Sequence, residues 1–376
     1  MTDNRACHGE HAGTWDHAAE ASDGVLHHQI FTEGDTLFAA MLADIDAARR
    51  QILLETYIFR EDHIGGKFLS ALRRAAERGV SVQMRIDALG SKGLVSPASI
   101  RALGDSGVAF NWSRRWHWRH PLRYNRRNHR KLLVVDDRAA YVGGFNIGDE
   151  NSLTRFGAAR WRDTHIRLTG PIVRRAGLLF QDFAGGRRQS GEDWADGTLL
   201  MPNYNRACRY GLRSLLHRRF TTARRRIWVT TPYFVPDRRT QRHLIAAARR
   251  GVDVKLLLPG KSDVAITRWA ARASYYGLLQ SGVKIYEYGA RVLHAKTVLI
   301  DEVWSTIGTA NLDYRSFFVN YELNFIARSN RINDELSAIF LNDLKGSVYI
   351  SATSWSKRRY VSHVAEFIGW VARRWL

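Results

Sequence analysis

The side chains able to do chemistry come in two matched sets. The first runs from His129 through Lys131 and Asp136 to Gly143 and Asn146, and the second from His294 through Lys296 and Asp301 to Gly308 and Asn311. Each second-set residue follows its partner by 165 positions. A single His-x-Lys-x4-Asp is a weak signal, but two copies, each with a downstream Gly-x-x-Asn, are very hard to obtain by chance. A histidine, with an ordinary pKa of about 6.5, can act near neutral pH as a nucleophile or an acid/base. A lysine adds a fixed cation and an asparagine an amide donor, both suited to oxygens that gain negative charge. Each set offers half of a phosphate site.

Strands must position these groups. Residues two apart in an extended chain share a face, so His129 and Lys131 point together, as do His294 and Lys296. The runs from Leu132 to Val135 and Val298 to Ile300 predict strands buried on both faces. Asp136 and Asp301 fall near the strand ends, where a carboxylate can hold a turn or bond the lysine. Gly143 and Gly308 permit close backbone approach, returning Asn146 and Asn311 beside the His and Lys.

The surrounding pattern predicts a helix over 35–50, a strand over 51–58, a helix over 67–78 capped by Gly79, and a strand over 80–86. The same order returns as a helix over 215–226, a strand over 227–231, a helix over 239–250 and a strand over 252–258. Tyr57-Ile58-Phe59 is echoed by Tyr233-Phe234-Val235, and Arg78-Gly79-Val80 by Arg250-Gly251-Val252. Offsets of 176 and 172 here, against 165 for the motif, describe an internal duplication with short insertions. Alternating helix and strand predicts an α/β fold with largely parallel sheets covered by helices. The expected division is a flexible tail at 1–24, a first domain at 25–190 and a second at 191–376, joined within 185–197. His8, His11 and His17 in the tail read as solvated rather than metal-binding.

The paired motif resembles that of the phospholipase D superfamily, over about residues 34–328. Trp161-Arg162-Asp163, Asn311-Leu312-Asp313-Tyr314-Arg315-Ser316 and Asn320-Tyr321-Glu322 narrow the resemblance to bacterial cardiolipin synthases, of the shorter kind without an N-terminal membrane anchor. That resemblance implies two phospholipase D-like α/β domains about a pseudo-twofold axis, with both motifs in one active site. It implies a phosphohistidine intermediate, with His129 usually the nucleophile and His294 the acid/base, and gives Asp136 and Asp301 a place in the catalytic motif. It assigns Asp163 and Glu322 to orienting a catalytic histidine. The residues alone do not order the two histidines. Gly144 departs from the Ser or Thr that many family members carry after the motif glycine.

Composition bounds the partner. The 376-residue chain is 45% hydrophobic, enough for two ordinary domains with a substantial core. A net charge of +21 implies a polyanion, either a nucleic acid or an anionic membrane surface. Cys7 and Cys208 form neither a disulfide framework nor a zinc pattern, which fits a reducing, cytoplasmic setting. No apolar run approaches the roughly 20 residues of a spanning helix, and the polar N-terminus does not read as a secretory signal. No metal and no cofactor is required, because Lys131, Lys296, Asn146 and Asn311 can neutralise and bind a phosphate.

Three stretches admit an interfacial reading beside an ordinary structural one. Between Asn111 and Arg130, Trp112, Trp116, Trp118 and Tyr124 alternate with Arg114, Arg115, Arg119, Arg123, Arg126 and Arg127, suiting anionic headgroups or, alternatively, single-stranded nucleic acid. Residues 357–376 predict an amphipathic helix with Tyr360, Val361, Val364, Phe367, Ile368, Val371 and Trp375 on one face and Arg359, His363, Glu366 and Arg373 opposite. Its apolar stripe fits either its own domain or a membrane interface. Trp269, Tyr275 and Tyr276 fit an active-site rim or buried packing equally well.

The expected activity is a phosphatidyl transfer that joins two phosphatidylglycerol molecules and releases glycerol. A hydrolytic or headgroup-exchanging phospholipase D is the alternative, and a nuclease a weaker one. The expected partner is anionic phospholipid at the inner face of the cell membrane, without nucleic acid.

Overall fold

The computed structural model describes residues 27–116, 118–119, 124–185, 194, 197–203, 206–262, 264–356, 366–369 and 371–372. The tail at 1–24, most of the joint at 185–197 and most of the segment at 357–376 lie outside them.

The first half contains β1 (His28–Phe31), α1 (Gly34–Asp46), β2 (Gln51–Thr56), α2 (His63–Glu77), β3 (Ser81–Asp87), α3 (Pro97–Asp105) and β4 (Ala109–Ser113). The motif hairpin β5 (Leu132–Val135) and β6 (Ala139–Gly143) follows, then α4 (Leu153–Phe156), β7 (His165–Leu168) and α5 (Ile172–Gly185). The second half contains β8 (Thr198–Pro202), α6 (Arg206–Thr222), β9 (Arg226–Thr230), α7 (Arg238–Arg249), β10 (Asp253–Pro259), α8 (Ala265–Ala273), α9 (Tyr275–Leu279) and β11 (Lys284–Tyr288). Its motif hairpin is β12 (Thr297–Ile300) and β13 (Trp304–Gly308), followed by α10 (Tyr314–Phe318), β14 (Leu323–Arg328), α11 (Asn330–Lys345), β15 (Ser347–Ile350) and α12 (Ala352–Ser356).

Two sheets result, ordered β1-β7-β6-β5-β2-β3-β4 and β15-β11-β10-β9-β12-β13-β14-β8. They are mixed rather than largely parallel. Only β2-β3-β4 and β9-β10-β11 run parallel, while β5 and β12 lie antiparallel to β2 and β9. The three residues between β5 and β6 are too few for a crossover, so the strand carrying each motif must return as a hairpin.

Strand alternation divides the core into three layers. In β5, Leu133 and Val135 join an outer cluster with α1, α2 and α3, while Leu132 and Val134 face a middle cluster. The middle layer combines Val173, Leu179 and Phe180 of α5, Leu336 and Phe340 of α11, and inner faces of both sheets, so the halves share one core. A second outer cluster packs α6, α7 and α9 on the other sheet.

The repeated Arg-Gly-Val has a local cause. Gly79 and Gly251 take φ of 86° and 91° after α2 and α7, a conformation that L side chains resist. Arg78 donates to the carbonyls of Ile45 and Asp46 at the end of α1, and Arg250 donates to those of Phe220 and Ala223 at the end of α6.

Helices α1 and α6 stop about four residues before the predicted ends, at Asp46 and Thr222. The motif aspartates compete for the backbone there. Asp136 accepts N–H donors from Arg49, Arg50 and Gln51, and Asp301 from Arg224, Arg225 and Arg226. Both aspartates sit at φ 52°, where Asp is tolerated better than most L residues. They lie beyond the far ends of β5 and β12, five positions or roughly 16 Å from the motif lysines. Placement of Asp136 and Asp301 among catalytic groups is therefore corrected: they hold turns.

At the C-terminus, the expected assignment of faces is reversed in part. Glu366, expected on the polar face, is buried, while Phe367, Ile368 and Val371 are exposed. In the 261–280 stretch, Tyr275 is core, whereas Trp269 and Tyr276 reach solvent.

Replacing Asp136 by Ala should lower stability by about 2 kcal/mol, through lost charge-assisted bonds and a strained φ, measured by denaturant unfolding. Asp136→Asn should retain most of that stability. Turnover per folded molecule should persist in both, and its loss would return Asp136 to the chemistry.

Candidate active site

Each motif enters its sheet through a bridge to the other half. The backbone N–H of His129 donates to Tyr321 O at 2.9 Å, and Tyr321 N–H donates to Arg127 O at 2.9 Å. The counterpart is His294 N–H to Arg162 O at 2.7 Å and Arg162 N–H to Val292 O at 2.8 Å. The residues after Tyr321 and Arg162 are Glu322 and Asp163. The bridge thus carries each carboxylate to the opposite histidine.

His129 Nδ1 lies 3.0 Å from Glu322 Oε2, and His294 Nδ1 lies 2.5 Å from Asp163 Oδ2. A carboxylate on Nδ1 fixes the tautomer and leaves Nε2 for chemistry. Both expected orienting residues are therefore brought to histidines, crosswise between the halves. Lys131 Nζ donates to His129 O at 2.9 Å, and Lys296 Nζ lies 2.8 Å from His294 Nδ1 and 3.6 Å from Asp163. All four motif side chains and both carboxylates are buried.

The asparagines return as expected but differ in detail. Asn146 Oδ1 accepts from Ile58 N at 3.2 Å, which commits its carbonyl and leaves the amide as donor. Asn311 Oδ1 is buried without a hydrogen-bond partner, and its backbone N–H donates to Ser316 Oγ.

Gly144 is explained by its neighbour. A Cβ there would collide with the Asp163 carboxylate. At the matching position Thr309 has a side chain and uses it: its hydroxyl donates to Glu322 Oε2 at 2.5 Å. Glycine therefore accompanies the short carboxylate, and threonine the long one.

The halves differ more beneath the motifs. Glu55 at the end of β2 accepts from Asn128 Nδ2 at 2.6 Å and pairs with Arg85 and Arg130 at 3.4 and 3.3 Å. Asp87 at the end of β3 accepts from Asn128 N at 2.8 Å and pairs with Arg127 at 3.4 Å. Three buried arginines and two buried carboxylates thus grip the segment that carries His129. In the second half the positions of Asn128 and Arg130 are Leu293 and Ala295, which rest in the shared apolar core.

Aromatic rings frame the histidines: Tyr57 on His129 at 5.0 Å, with Trp161 and Tyr233 on His294 at 5.3 and 6.4 Å. In the sequence, Tyr57 and Tyr233 mark the repeat and Trp161 belongs to the motif that narrows the resemblance, but none of the three is expected to pack on a motif histidine. For Tyr57 and Tyr233 the signal is an aromatic recurring just after β2 and β9.

Burial, with Lys131 and Lys296 adding repulsion against attraction from Glu322, pushes the His129 imidazole down to about 4, so it is neutral near pH 7. Burial and the second ammonium of Lys296 bring Lys131 down to about 7. Burial opposes ionisation of Asp163, but Lys296 and His294 outweigh it and hold the carboxyl below its ordinary value. A neutral imidazole, two ammonium groups whose repulsion an anion would relieve, and the Asn146 amide together make a site for an anionic phosphoryl group.

A duplicated α/β fold with two such His-Lys pairs at its interface defines a class of phosphoryl-transfer protein. The chain belongs to the family described as cardiolipin synthase, PLD-like domain, which it matches over residues 41–157 and 216–344. It is 32% identical over 357 residues to the cardiolipin synthase of Clostridium perfringens strain SM101, covering 90% of this chain and 75% of that one. It is 34% identical over 355 residues to that of Geobacillus kaustophilus, covering 90% and 70%. In fold it is similar to phosphatidylserine synthase from Haemophilus influenzae, with a TM-score of 0.67 and 12% identity over 92% of each chain. Polyphosphate kinase from Porphyromonas gingivalis gives 0.61 and 14%, covering 91% of this chain and 52% of that one.

Two outcomes follow. Gly144→Thr should displace Asp163, release His294 and cut turnover on the order of 10²-fold with the fold intact by circular dichroism; unchanged turnover would mean that Asp163 does not need its present seat. Lys131 holds its proton below about 7 and loses it above, so kcat/KM should fall as pH rises through that value. Lys131→Arg should move that alkaline limb upward, and a limb that stays in place belongs to another group.

Proposed function

We propose that this chain is a phosphatidyltransferase that joins two phosphatidylglycerol molecules into cardiolipin and releases glycerol. The observation that carries this reading is the buried pair of His-Lys sets, each histidine oriented by a carboxylate from the opposite half. Family membership and cardiolipin synthase relatives at 32–34% identity support the choice of lipid over other phosphodiesters.

Lys131 and Lys296, with the Asn146 amide and Asn311, receive the phosphate oxygens and stabilise the charge that builds on them. Nε2 of one histidine attacks phosphorus; the P–O bond to glycerol breaks, and the other histidine protonates the departing oxygen. A phosphohistidine remains. A glycerol hydroxyl of the second lipid then gives its proton to the acid/base histidine and attacks phosphorus, forming the new P–O bond and freeing the first imidazole. His129 is assigned as nucleophile and His294 as acid/base. His129, neutral near pH 7, is in the form that attacks. The enzyme works at an anionic membrane surface, on its cytoplasmic side, and the net charge of +21 favours that encounter. Among the described residues no helix is long and apolar enough to cross a membrane.

Incubated with phosphatidylglycerol, the protein should yield cardiolipin and glycerol in equal amounts. His129→Ala and His294→Ala should each lower this by about 10³-fold or more. Phosphatidic acid as main product would make water the acceptor, and motif-dependent cleavage of DNA in preference to lipid would overturn the reading.

A further inference from the structure

The two sheets present the same edge to the site. Leu132 pairs with Glu55 and Thr297 with Thr230, so the motifs enter where the parallel strands end. Chain leaving the C-terminal ends of those strands therefore surrounds the site. In the first half, the chain leaving β4 at Ser113 exposes Trp116 and Trp118, at 62% and 68%, before it reaches His129. In the second, α8 begins shortly after β10 ends at Pro259 and carries the half-buried to exposed Trp269.

A C-terminal helical turn sits on α8. Gly369 approaches the backbone of Trp269 and Ala270 so closely that a Cβ would have no room. Glu366, three residues earlier and on the same side, is 7% exposed and within electrostatic reach of Arg272 on α8. Phe367, Ile368 and Val371 are spaced three and four apart, so they share the opposite face. They are 63%, 47% and 47% exposed. The turn thus turns its acid and its glycine inward and its large apolar side chains outward, the reverse of what solubility alone would select.

We propose that this outward face and the Trp116/Trp118 segment are the two points at which the protein inserts into an anionic bilayer, setting the site edge toward the lipid. This rests on the reading of a phospholipid as substrate. The occupant is a bilayer rather than a protein because of charge. Lys357, Arg358 and Arg359 precede the turn in sequence, Arg373 and Arg374 follow it, and Arg115 and Arg119 flank the tryptophans. Basic residues beside aromatic and aliphatic ones suit an interface with anionic headgroups above and acyl chains below. The basic component weakens with salt, whereas apolar insertion does not.

The test uses the full chain, vesicles of phosphatidylglycerol and phosphatidylcholine, and phosphatidylglycerol dispersed in detergent. The triple variant Phe367→Ser, Ile368→Ser, Val371→Ser and the double variant Trp116→Ser, Trp118→Ser should each lower vesicle binding at high salt by about tenfold or more. Turnover of the detergent-dispersed lipid should remain as in the parent. A polarity-sensitive label on Ile368→Cys, in a Cys7→Ser, Cys208→Ser background, should shift to the blue when vesicles are added. Undiminished high-salt binding in the triple variant, or no shift of the label, overturns the proposal. So does a change of oligomeric state with vesicle binding unchanged, which would make the face a self-association surface. Failure of the parent to turn over lipid even in detergent would count against the substrate reading, while the vesicle measurements would still report on docking.

Discussion

Each motif imidazole is held at Nδ1 by a carboxylate that the other half supplies, Glu322 for His129 and Asp163 for His294. Neither half can orient its own histidine, so both sets depend on the interface. The paired bridges of Tyr321 with the first motif and Arg162 with the second set its register at the point where it matters. The middle apolar layer, shared by α5, α11 and both sheets, fixes the rest. A shift of even 1 Å between the halves would degrade both imidazoles together.

The burial that makes this arrangement effective also makes it costly. An isolated ion loses several kcal/mol of hydration on such burial. The carboxylates Asp163 and Glu322 offset Lys131 and Lys296, but burial, with the repulsion of the second ammonium added, still brings Lys131 down to about 7. A phosphodiester relieves that repulsion. The same electrostatics that weaken the empty site favour its occupation by an anion.

The duplication is not exact, and its departures are physically coherent. Thr309 with Glu322 and Gly144 with Asp163 are two solutions to seating a carboxylate over the same loop. The ionic grip of Glu55 and Asp87 on Asn128 and its arginine neighbours has no polar equivalent at Leu293 and Ala295. Removing one member of such a buried cluster leaves an uncompensated charge, so the first motif is held more rigidly but tolerates substitution beneath it less well.

Much of this was legible in the sequence. Matched spacing located His129, Lys131, His294 and Lys296, and periodicity placed the strands that carry them. The repeated Arg-Gly-Val marked helix ends correctly because a left-handed cap is a local requirement. Spacing could not separate Asp136 and Asp301 from the chemistry: an interval repeated along two strands does not say which end faces the site. Nor could it give strand direction, since both parallel and antiparallel neighbours leave a buried run of apolar residues. The inward turn of Glu366 was hidden for the same reason, because periodicity finds a face but not what covers it. The exchange of carboxylates between halves lay furthest from reach. It joins residues 193 and 131 positions apart, and only the packing of the two sheets brings them within hydrogen-bonding distance.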